Sequence, residues 1–283
     1  MLLNSKACQW KLVVLTLAVC PAFAADEAGP LARAQAKFRE ARYDEAAQLA
    51  TAVIQHDTES TAAYRLRAAA YEQLGKLDLA IADLSQVIKL QPDAADTIQH
   101  RGELHFQAGH IALSIEDFDR YLQARPDQEP YHWQRGISYY YAGEYAKGVR
   151  QFEIHKTVNP QDVENAVWHY LCRARLEGVE QARAKLIDID RDDRPWALPV
   201  YRMFQGRLTP AEVLKQAEQG IRTETIRKDY LFYAHFYVGL YHEAAGADEL
   251  ARKHIEIAAT QYDSPHYMSA VARVHLQRLK ARR

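Results

Sequence analysis

His169 and Cys172 have the residue types and spacing of a catalytic pair. They are three positions apart, so on a helix their side chains would lie on one face, where an imidazole could activate a thiol. A nucleophile of this kind also needs a third group that orients the histidine and a pocket that holds a substrate. The sequence offers neither near these residues. We therefore interpret Cys172 as a packed helix residue, and we predict no catalytic residue.

Metal binding is the second chemistry to consider, because the chain contains 12 histidines. None of them lies in an H-E-x-x-H motif or in a Cys/His cluster with zinc-ligand spacing. The acidic run at 188–193 resembles the start of a calcium loop. However, Asp193 stands where such a loop needs glycine, and Pro199 stands where it needs the closing glutamate. We expect no metal ion, no cofactor and no enzymatic activity.

Charge and composition exclude two further classes of protein. The 36 Lys and Arg residues are balanced by 37 Asp and Glu residues, which gives a net charge of −1. Nucleic-acid binders neutralise phosphates with a clear excess of basic residues, so we expect no nucleic acid among the partners. Hydrophobic residues make up 48% of the chain. This is enough to bury a core, and it excludes a disordered chain.

A period of 34 residues organises the elements that would position any site. Gly75, Gly109 and Gly143 are separated by this interval. Three more sets follow it: Pro92, Pro126 and Pro160; Arg33, Arg67, Arg101 and Arg135; and Ala46, Ala80, Ser114 and Gly148. Glycine favours the left-handed turn that ends a first helix, and proline ends a second one. The pattern resembles the tetratricopeptide repeat (TPR), a helix-turn-helix unit.

The resemblance implies an all-α fold, a TPR helix-turn-helix solenoid with a degenerate middle section and a C-terminal capping helix. In the first repeat Ala41 replaces the turn glycine. We predict four segments: a signal peptide at 1–24, four TPR-type repeats at 25–162, an irregular helical region of degenerate repeats at 163–230, and a final TPR-type repeat plus the capping helix at 231–283.

The first 24 residues have the layout of a secretory signal peptide. Two lysines precede a short apolar run at 12–19, and small residues lead up to Ala24. We predict cleavage between Ala24 and Ala25 and a location in the periplasm. The shortened chain would have a net charge of −3, because the segment contains two lysines and no acidic residue. It would keep one cysteine, so no intramolecular disulfide could form.

Two other interpretations of this segment are a membrane anchor and a lipid attachment site. The apolar run is too short for an anchor, since crossing a bilayer core takes about 20 residues. The segment Leu17 to Cys20 is similar to a bacterial lipobox, whose cysteine is acylated. Val19, however, stands where that motif has a small residue. We therefore expect no lipid anchor at Cys20.

The first helix of each TPR lines the concave face of the array, and this face is the predicted binding groove. Aromatic side chains concentrate there in the third and fourth repeats, and exposed Trp and Tyr near Arg are typical of peptide-binding surfaces. The alternative is that some of these side chains turn inward and fill the core. The predicted groove residues are Arg65, Gln99, Glu103, Phe106, Trp133, Tyr140 and Tyr141.

Three motifs carry a closer resemblance: Arg135-Gly136-Ile137 with Tyr139-Tyr140 and Gly143; Trp196 with Gly206 and Leu208-Thr209; and Phe236 to Tyr241 with Gly246-Ala247-Asp248. In this order they resemble the NlpI-type TPR lipoproteins of the bacterial cell envelope, over roughly 60–280. The resemblance implies an adaptor that holds envelope proteins together, including a processing protease and peptidoglycan hydrolases, and that often forms a homodimer.

The sequence therefore predicts a periplasmic adaptor or scaffold whose partners are other envelope proteins or peptides. One alternative is an enzyme whose catalytic group lies in the irregular region 163–230. A dense, buried cluster of titratable residues there would support it. The other alternative is a structural subunit of an envelope complex, held by its convex face or its last helix.

Overall fold

A computed structural model describes residues 29–219, 223–262 and 266–281. Over these ranges the chain forms α-helices and one short 3-10 helix, and no strand. The predicted signal peptide, its cleavage site at Ala24 and Ala25, and Cys20 lie outside the described residues. The fifteen α-helices of the described ranges are α1 (Pro30–Arg39), α2 (Tyr43–His56), α3 (Thr61–Gln73), α4 (Leu77–Leu90), α5 (Ala95–Gln107), α6 (Ile111–Ala124), α7 (Trp133–Ala142), α8 (Tyr145–His155), α9 (Val163–Glu177), α10 (Val179–Ala184), α11 (Ala197–Phe204), α12 (Pro210–Gln219), α13 (Glu224–Ala244), α14 (Asp248–Gln261) and α15 (Tyr267–Ala281).

Helices α1 to α8 form four consecutive helix-turn-helix units, which confirms the predicted solenoid. The turn glycines have the left-handed backbone that their spacing predicts, with φ of 68° at Gly75 and 80° at Gly109 and Gly143. Ala41 has the same conformation with φ of 57°, although it has a Cβ atom. The turn geometry is therefore common to all four units, and only the first makes it without glycine.

In the third and fourth units a small residue of the first helix faces a large one sixteen positions later. A Cβ atom on Gly102 would lie 2.8 Å from the Phe118 ring, and one on Gly136 would lie 2.7 Å from the Phe152 ring. The two helices of a unit therefore approach too closely for any side chain at these glycines. This is the physical reason for the small residue at every 34th position.

Neighbouring units are joined by the arginines of the 34-residue pattern. Arg101 makes two hydrogen bonds to Asp117 on the second helix of its own unit, at 2.8 and 2.6 Å. Its third nitrogen donates to Ser85 Oγ on the preceding unit at 3.0 Å. Arg67 makes the equivalent contacts to Asp83 and Thr51. These arginines are structural links between units.

The middle section is less regular than the first four units. Helix α10 ends at Ala184. The chain beyond it is irregular, and Tyr201 satisfies part of its backbone. The Tyr201 hydroxyl donates to the Ile187 carbonyl at 3.0 Å and accepts from the Ile189 amide at 3.1 Å. Further on, Thr209 and Glu212 make a capping box at the start of α12.

The repeat geometry returns in α13 and α14. Gly239 faces Ile255 sixteen positions later, as Gly136 faces Phe152, and Gly246 has a left-handed φ of 77°. The last helix, α15, packs against α14 and also against α5, the first helix of the third unit. The predicted capping helix therefore covers more than its neighbour in sequence: it crosses to the concave side of the array. Among the helices of the described ranges, none is both long enough and apolar enough to cross a membrane.

Candidate functional site

The aromatic part of the predicted groove is covered by α15. Tyr267 stacks on Phe106 with ring centroids 5.6 Å apart, and it meets the Trp133 ring edge-on at 5.2 Å. Phe106 is completely buried, and Trp133 is partly buried. These two side chains therefore pack against a helix of the same chain.

Tyr140 and Tyr141 are also buried, with 6% and 4% of their surface exposed. The Tyr141 hydroxyl lies 2.9 Å from His275 Nδ1 on α15. Glu243 on α13 lies 3.4 Å from the Tyr140 hydroxyl. Burial raises the pKa of both tyrosines, so both stay protonated and act as hydrogen-bonding groups inside the core. The expected exposure of Phe106, Tyr140 and Tyr141 is wrong: α15 covers Phe106 and Tyr141, and Tyr140 packs against Trp168 on α9 and Glu243 on α13.

The polar part of the predicted groove is open. Arg65 is exposed on α3, and Gln99 and Glu103 are partly exposed on α5. Gln99 Nε2 donates to Glu103 Oε1 at 3.0 Å, and Gln134 on α7 donates to the same oxygen at 2.7 Å. The structure thus brings Gln99 and Glu103 into one polar network across two units. Arg65 instead donates to Gln91 at 3.0 Å, at the edge of this surface.

A cluster of charged residues, which sequence reasoning missed as a group, joins the start of α9 to the acidic connector. Arg194 binds three carboxylates: Asp162, Glu164 Oε2 at 2.6 Å and Asp192 Oδ2 at 2.6 Å. The second oxygen of Glu164 accepts from the Tyr237 hydroxyl at 2.6 Å. The acidic run at 188–193 thus supplies one partner of Arg194, the carboxylate of Asp192. No local motif signals this cluster, because the segments that meet in it, 162–164, 192–194 and Tyr237, are about thirty or more positions apart.

The environment of the cluster shifts the pKa values of two carboxyl groups in opposite directions. Burial raises the pKa of Glu164 to about 7, even though Arg194 and Tyr237 favour its charged form. Burial would also raise the pKa of Asp162, but hydrogen bonds from His155 and Arg194 hold it below its usual value. Asp162 also caps α9, since its Oδ1 accepts from the Glu164 amide at 3.1 Å. Asp162 is therefore the fixed negative charge of the cluster.

A cavity of about 220 Å³ lies beside this cluster. We call it the inner cavity. Its apolar walls come from α7, α8, α9 and α15, and its polar wall comes from the cluster. The lining includes Trp133, Phe152, Trp168 and Met268 on the apolar side, and Asp162, Glu164 and Asn165 on the polar side.

His169 and Cys172, which have the spacing of a catalytic pair, each contact other groups. Cys172 is fully buried, burial raises the pKa of its thiol, and its Sγ packs against the backbone of Gly148. His169 Nε2 accepts from Arg173 on the same helix at 3.1 Å. In the part of the chain that the structure describes, no three His, Cys, Asp or Glu side chains lie close enough together to hold a metal ion.

Comparisons with known proteins agree with this architecture. Residues 31–95 and 75–129 match the family described as tetratricopeptide repeat. Proteins built from such repeats generally act as non-catalytic scaffolds for other proteins. A comparison with curated proteins finds no match.

Two solved structures have the same fold at low sequence identity. A tetratricopeptide repeat protein from Parabacteroides merdae is 14% identical, with 89% of this chain and 97% of that chain covered and a TM-score of 0.56. The MamA protein is 16% identical, with 67% of this chain and 93% of that chain covered and a TM-score of 0.50. These likenesses show the fold alone. The resemblance to the NlpI-type proteins stays a prediction.

Proposed function

We propose that this protein is an exported adaptor of the cell envelope that holds a peptide segment of a partner protein in its polar concave surface. We define this surface by Arg65, Gln99, Glu103 and Gln134. The observation that carries the proposal is the contrast between the aromatic half and the polar half of the predicted groove. The aromatic half is covered by α15, whereas the polar half is accessible on adjacent helices of three repeats.

The chemistry of the polar concave surface suits a peptide backbone. Amide side chains such as Gln99 and Gln134 have both donors and acceptors, so they can pair with the N–H and C=O groups of an extended chain. Arg65 at one edge can bind a carboxylate, and Glu103 in the middle can bind an N–H group. The aromatic residues Trp133, Tyr140 and Tyr141 have a supporting role in this proposal, since they fix the neighbouring repeats.

The envelope location rests on the segment at 1–24 and on the resemblance to NlpI-type proteins. On the same basis the partners are envelope proteins, with a processing protease and peptidoglycan hydrolases as the first candidates. An adaptor of this kind brings such enzymes together without catalysing their reactions. Homodimer formation belongs to the same proposal.

Crosslinking in the intact envelope, followed by identification of the captured proteins, tests the adaptor proposal. The variant Arg65→Ala/Glu103→Ala removes one charge of each sign from the polar concave surface. The matched control Arg150→Ala/Glu116→Ala removes the same charges from exposed positions on the second helices of repeats. We expect the first variant to lose partners and the control to keep them. The same partner set with both variants would contradict the proposal.

The charged cluster beside the inner cavity favours an enzyme as the second candidate function. It is the dense group of titratable residues that an active site in the irregular region would need. Both oxygens of Glu164 already accept hydrogen bonds, and Arg194 is bound to three carboxylates. This arrangement favours the binding of a ligand over proton transfer, so we rank the adaptor first. A product released from a candidate substrate by the native chain, and abolished in Glu164→Gln, would reverse that order.

A further inference from the structure

We propose that the inner cavity is a binding site for an organic cation of side-chain size, that is, an ammonium or guanidinium group on an apolar stem. The site lies between α7, α8, α9 and the start of α15, away from Arg65 and Gln99 of the polar concave surface. The proposal is independent of the adaptor function. Three features of the cavity carry it: aromatic walls, an excess of carboxylates and an unpaired buried acceptor.

The aromatic walls suit both ends of such a ligand. Trp133, Phe152 and Trp168 place three aromatic rings around a volume of about 220 Å³. The faces of aromatic rings attract cations, and the attraction increases where water is excluded. Ile137 and Met268 complete the apolar side, where a stem of methylene groups would pack. The volume is below the range of drug-sized ligand pockets, so a single side chain fits it better than a larger molecule.

The charged wall has more carboxylates than cations. Two carboxylates, those of Asp162 and Glu164, line the cavity together with one guanidinium, that of Arg194, which also binds Asp192 outside the lining. His155 lies 3.6 Å from Asp162 Oδ2. The single guanidinium of Arg194 is thus shared by three carboxylates. An anionic ligand would meet this excess negative charge, whereas a cationic ligand would balance it.

Asn165 supplies an acceptor that the protein leaves unused. The residue lines the cavity and has only 3% of its surface exposed. Its amide nitrogen donates to the Phe152 carbonyl at 3.0 Å, which fixes the orientation of the side chain. Its Oδ1 has no hydrogen-bond partner among the described residues. A buried acceptor without a partner is costly, and an N–H group of a bound cation would satisfy it.

A second, wider cavity of about 420 Å³ adjoins the first. We call it the outer cavity. It shares Asn159, Asp162 and Arg194 with the inner cavity, and its remaining walls are the polar side chains of the connector. The outer cavity has room for the main chain of a peptide whose basic side chain enters the inner cavity. The cation could therefore come from an arginine or lysine residue of a peptide or from a free amine, and the experiment separates the two sources.

Isothermal titration of the full chain with blocked amino acids tests the charge requirement. The probes are N-acetyl-arginine amide and N-acetyl-citrulline amide, which have nearly the same shape and differ in charge. We expect the arginine probe to bind at least about tenfold more tightly, the ratio that corresponds to one well-placed charge interaction. Equal affinity for the two probes, or no binding of either, would overturn the proposal. This comparison uses the unaltered protein, so it does not depend on the folding of a variant.

A matched pair of variants locates the site. Asp162→Asn keeps an acceptor for the cap of α9 but removes the charge beside the cavity. Asp93→Asn makes the same change at an exposed position on another unit. We expect Asp162→Asn to weaken binding of the arginine probe about tenfold and Asp93→Asn to leave it unchanged. Equal effects of the two variants would place the binding elsewhere and overturn the assignment to the inner cavity.

The source of the cation is tested by extending the probe on both sides. A blocked Ala-Arg-Ala peptide is compared with N-acetyl-arginine amide. Tighter binding of the peptide supports a peptide ligand that also uses the outer cavity, and equal binding supports a free amine. The variant Arg65→Ala/Glu103→Ala is expected to leave both affinities unchanged, so a failure of the adaptor proposal and a failure of this one remain distinguishable.

Discussion

Ala41 makes the turn of the first repeat in a backbone conformation that costs free energy. Its φ of 57° lies in the left-handed region, where an L-residue with a Cβ atom loses roughly 1–2 kcal/mol. The later repeats have glycine at the equivalent positions, including Gly75 and Gly109 with φ of 68° and 80°. The sequence predicts this turn from its spacing, but only the structure shows that alanine adopts the glycine conformation.

We expect Ala41→Gly to raise the free energy of unfolding by about 0.5–1 kcal/mol, because the released strain exceeds the extra entropy of glycine in the unfolded chain. Urea denaturation measures the change. Ala108→Gly is the control, since Ala108 has a right-handed φ of −77° and should lose stability on the same substitution. A loss of stability in Ala41→Gly would contradict the interpretation of strain.

His132 links two repeats only while it is neutral. Its Nδ1 accepts from the Arg135 amide at 3.2 Å, which caps α7, and its Nε2 donates to Gln99 at 2.7 Å. Burial, with Arg135 as a second cause, lowers the pKa of His132 from 6.5 to about 4. Between pH 6.5 and pH 4 the unfolded chain therefore binds more protons at this residue than the folded chain does. The free energy of unfolding falls as the pH falls through this window.

We expect this loss to reach about 3 kcal/mol near pH 4. The variant His132→Asn keeps a capping acceptor but does not titrate, so its free energy of unfolding should depend less steeply on pH between 6.5 and 4. His56→Asn changes an exposed histidine and should keep the pH dependence of the native chain. Urea titrations at several pH values measure the three slopes. Parallel slopes for all three proteins would exclude His132 as the cause.

Pairs of helices are joined by arginines whose carboxylate partners are buried. Asp117 has only 4% of its surface exposed, and Arg101 supplies two hydrogen bonds to it. Removing the arginine would leave a buried charge without its counterion. We expect Arg101→Met to lower the free energy of unfolding by about 3–5 kcal/mol.

A double-mutant cycle measures this pair. Adding Asp117→Leu to Arg101→Met removes the uncompensated charge and should recover most of the lost stability. Arg150→Met is the control at an exposed position and should change the free energy of unfolding by less than about 0.5 kcal/mol. If the two single substitutions at Arg101 and Asp117 have additive effects, the link between α5 and α6 is not an ion pair.

The elements were predictable where their determinants are local. Turn glycines, the capping box at Thr209 and the small residues that face Phe118 and Phe152 all act within one repeat, so a fixed spacing reveals them. The groove was predictable only in part. Arg65 is exposed and Gln99 and Glu103 are partly exposed, but the contacts that cover Tyr141 come from a helix more than 130 positions away. No periodic pattern records a contact of that kind.

The charged cluster was unpredictable for the same reason. Asp162 and Arg194 are 32 positions apart, and Tyr237 reaches Glu164 across 73 positions. In the sequence each of these residues resembles an ordinary surface charge or a core aromatic. Their function depends on how the irregular middle section folds back onto α9. Only the assembled chain brings them to one cavity.

At the scale of the whole molecule, α15 makes contacts that an open array of repeats does not have. Solenoid repeats normally touch only their neighbours, so their stability is a sum of local terms. Here α15 touches both α14 and α5. The contact of Tyr267 with Phe106 and Trp133 connects the last helix to the third and fourth repeats. Unfolding of the described helices is therefore expected to be more cooperative than in an open solenoid.

We expect Tyr267→Ala to lower the free energy of unfolding by about 3 kcal/mol and to increase the binding of a hydrophobic dye, because it uncovers Phe106 and Trp133. Gln277→Ala changes an exposed residue of the same helix and should have little effect. Urea denaturation followed by tryptophan fluorescence and by circular dichroism measures both variants. Equal dye binding by the two variants would mean that α15 does not protect the aromatic residues.

The contact between α15 and α5 also limits how this protein can change in evolution. An open solenoid can gain or lose a 34-residue unit at little cost, since each new unit repeats the same neighbour contacts. Between α5 and α15 such a duplication would carry Tyr267 away from Phe106 and separate His275 from Tyr141. Units added before α5 would leave these contacts intact. Length variation among descendants of this chain should therefore be confined to its N-terminal end.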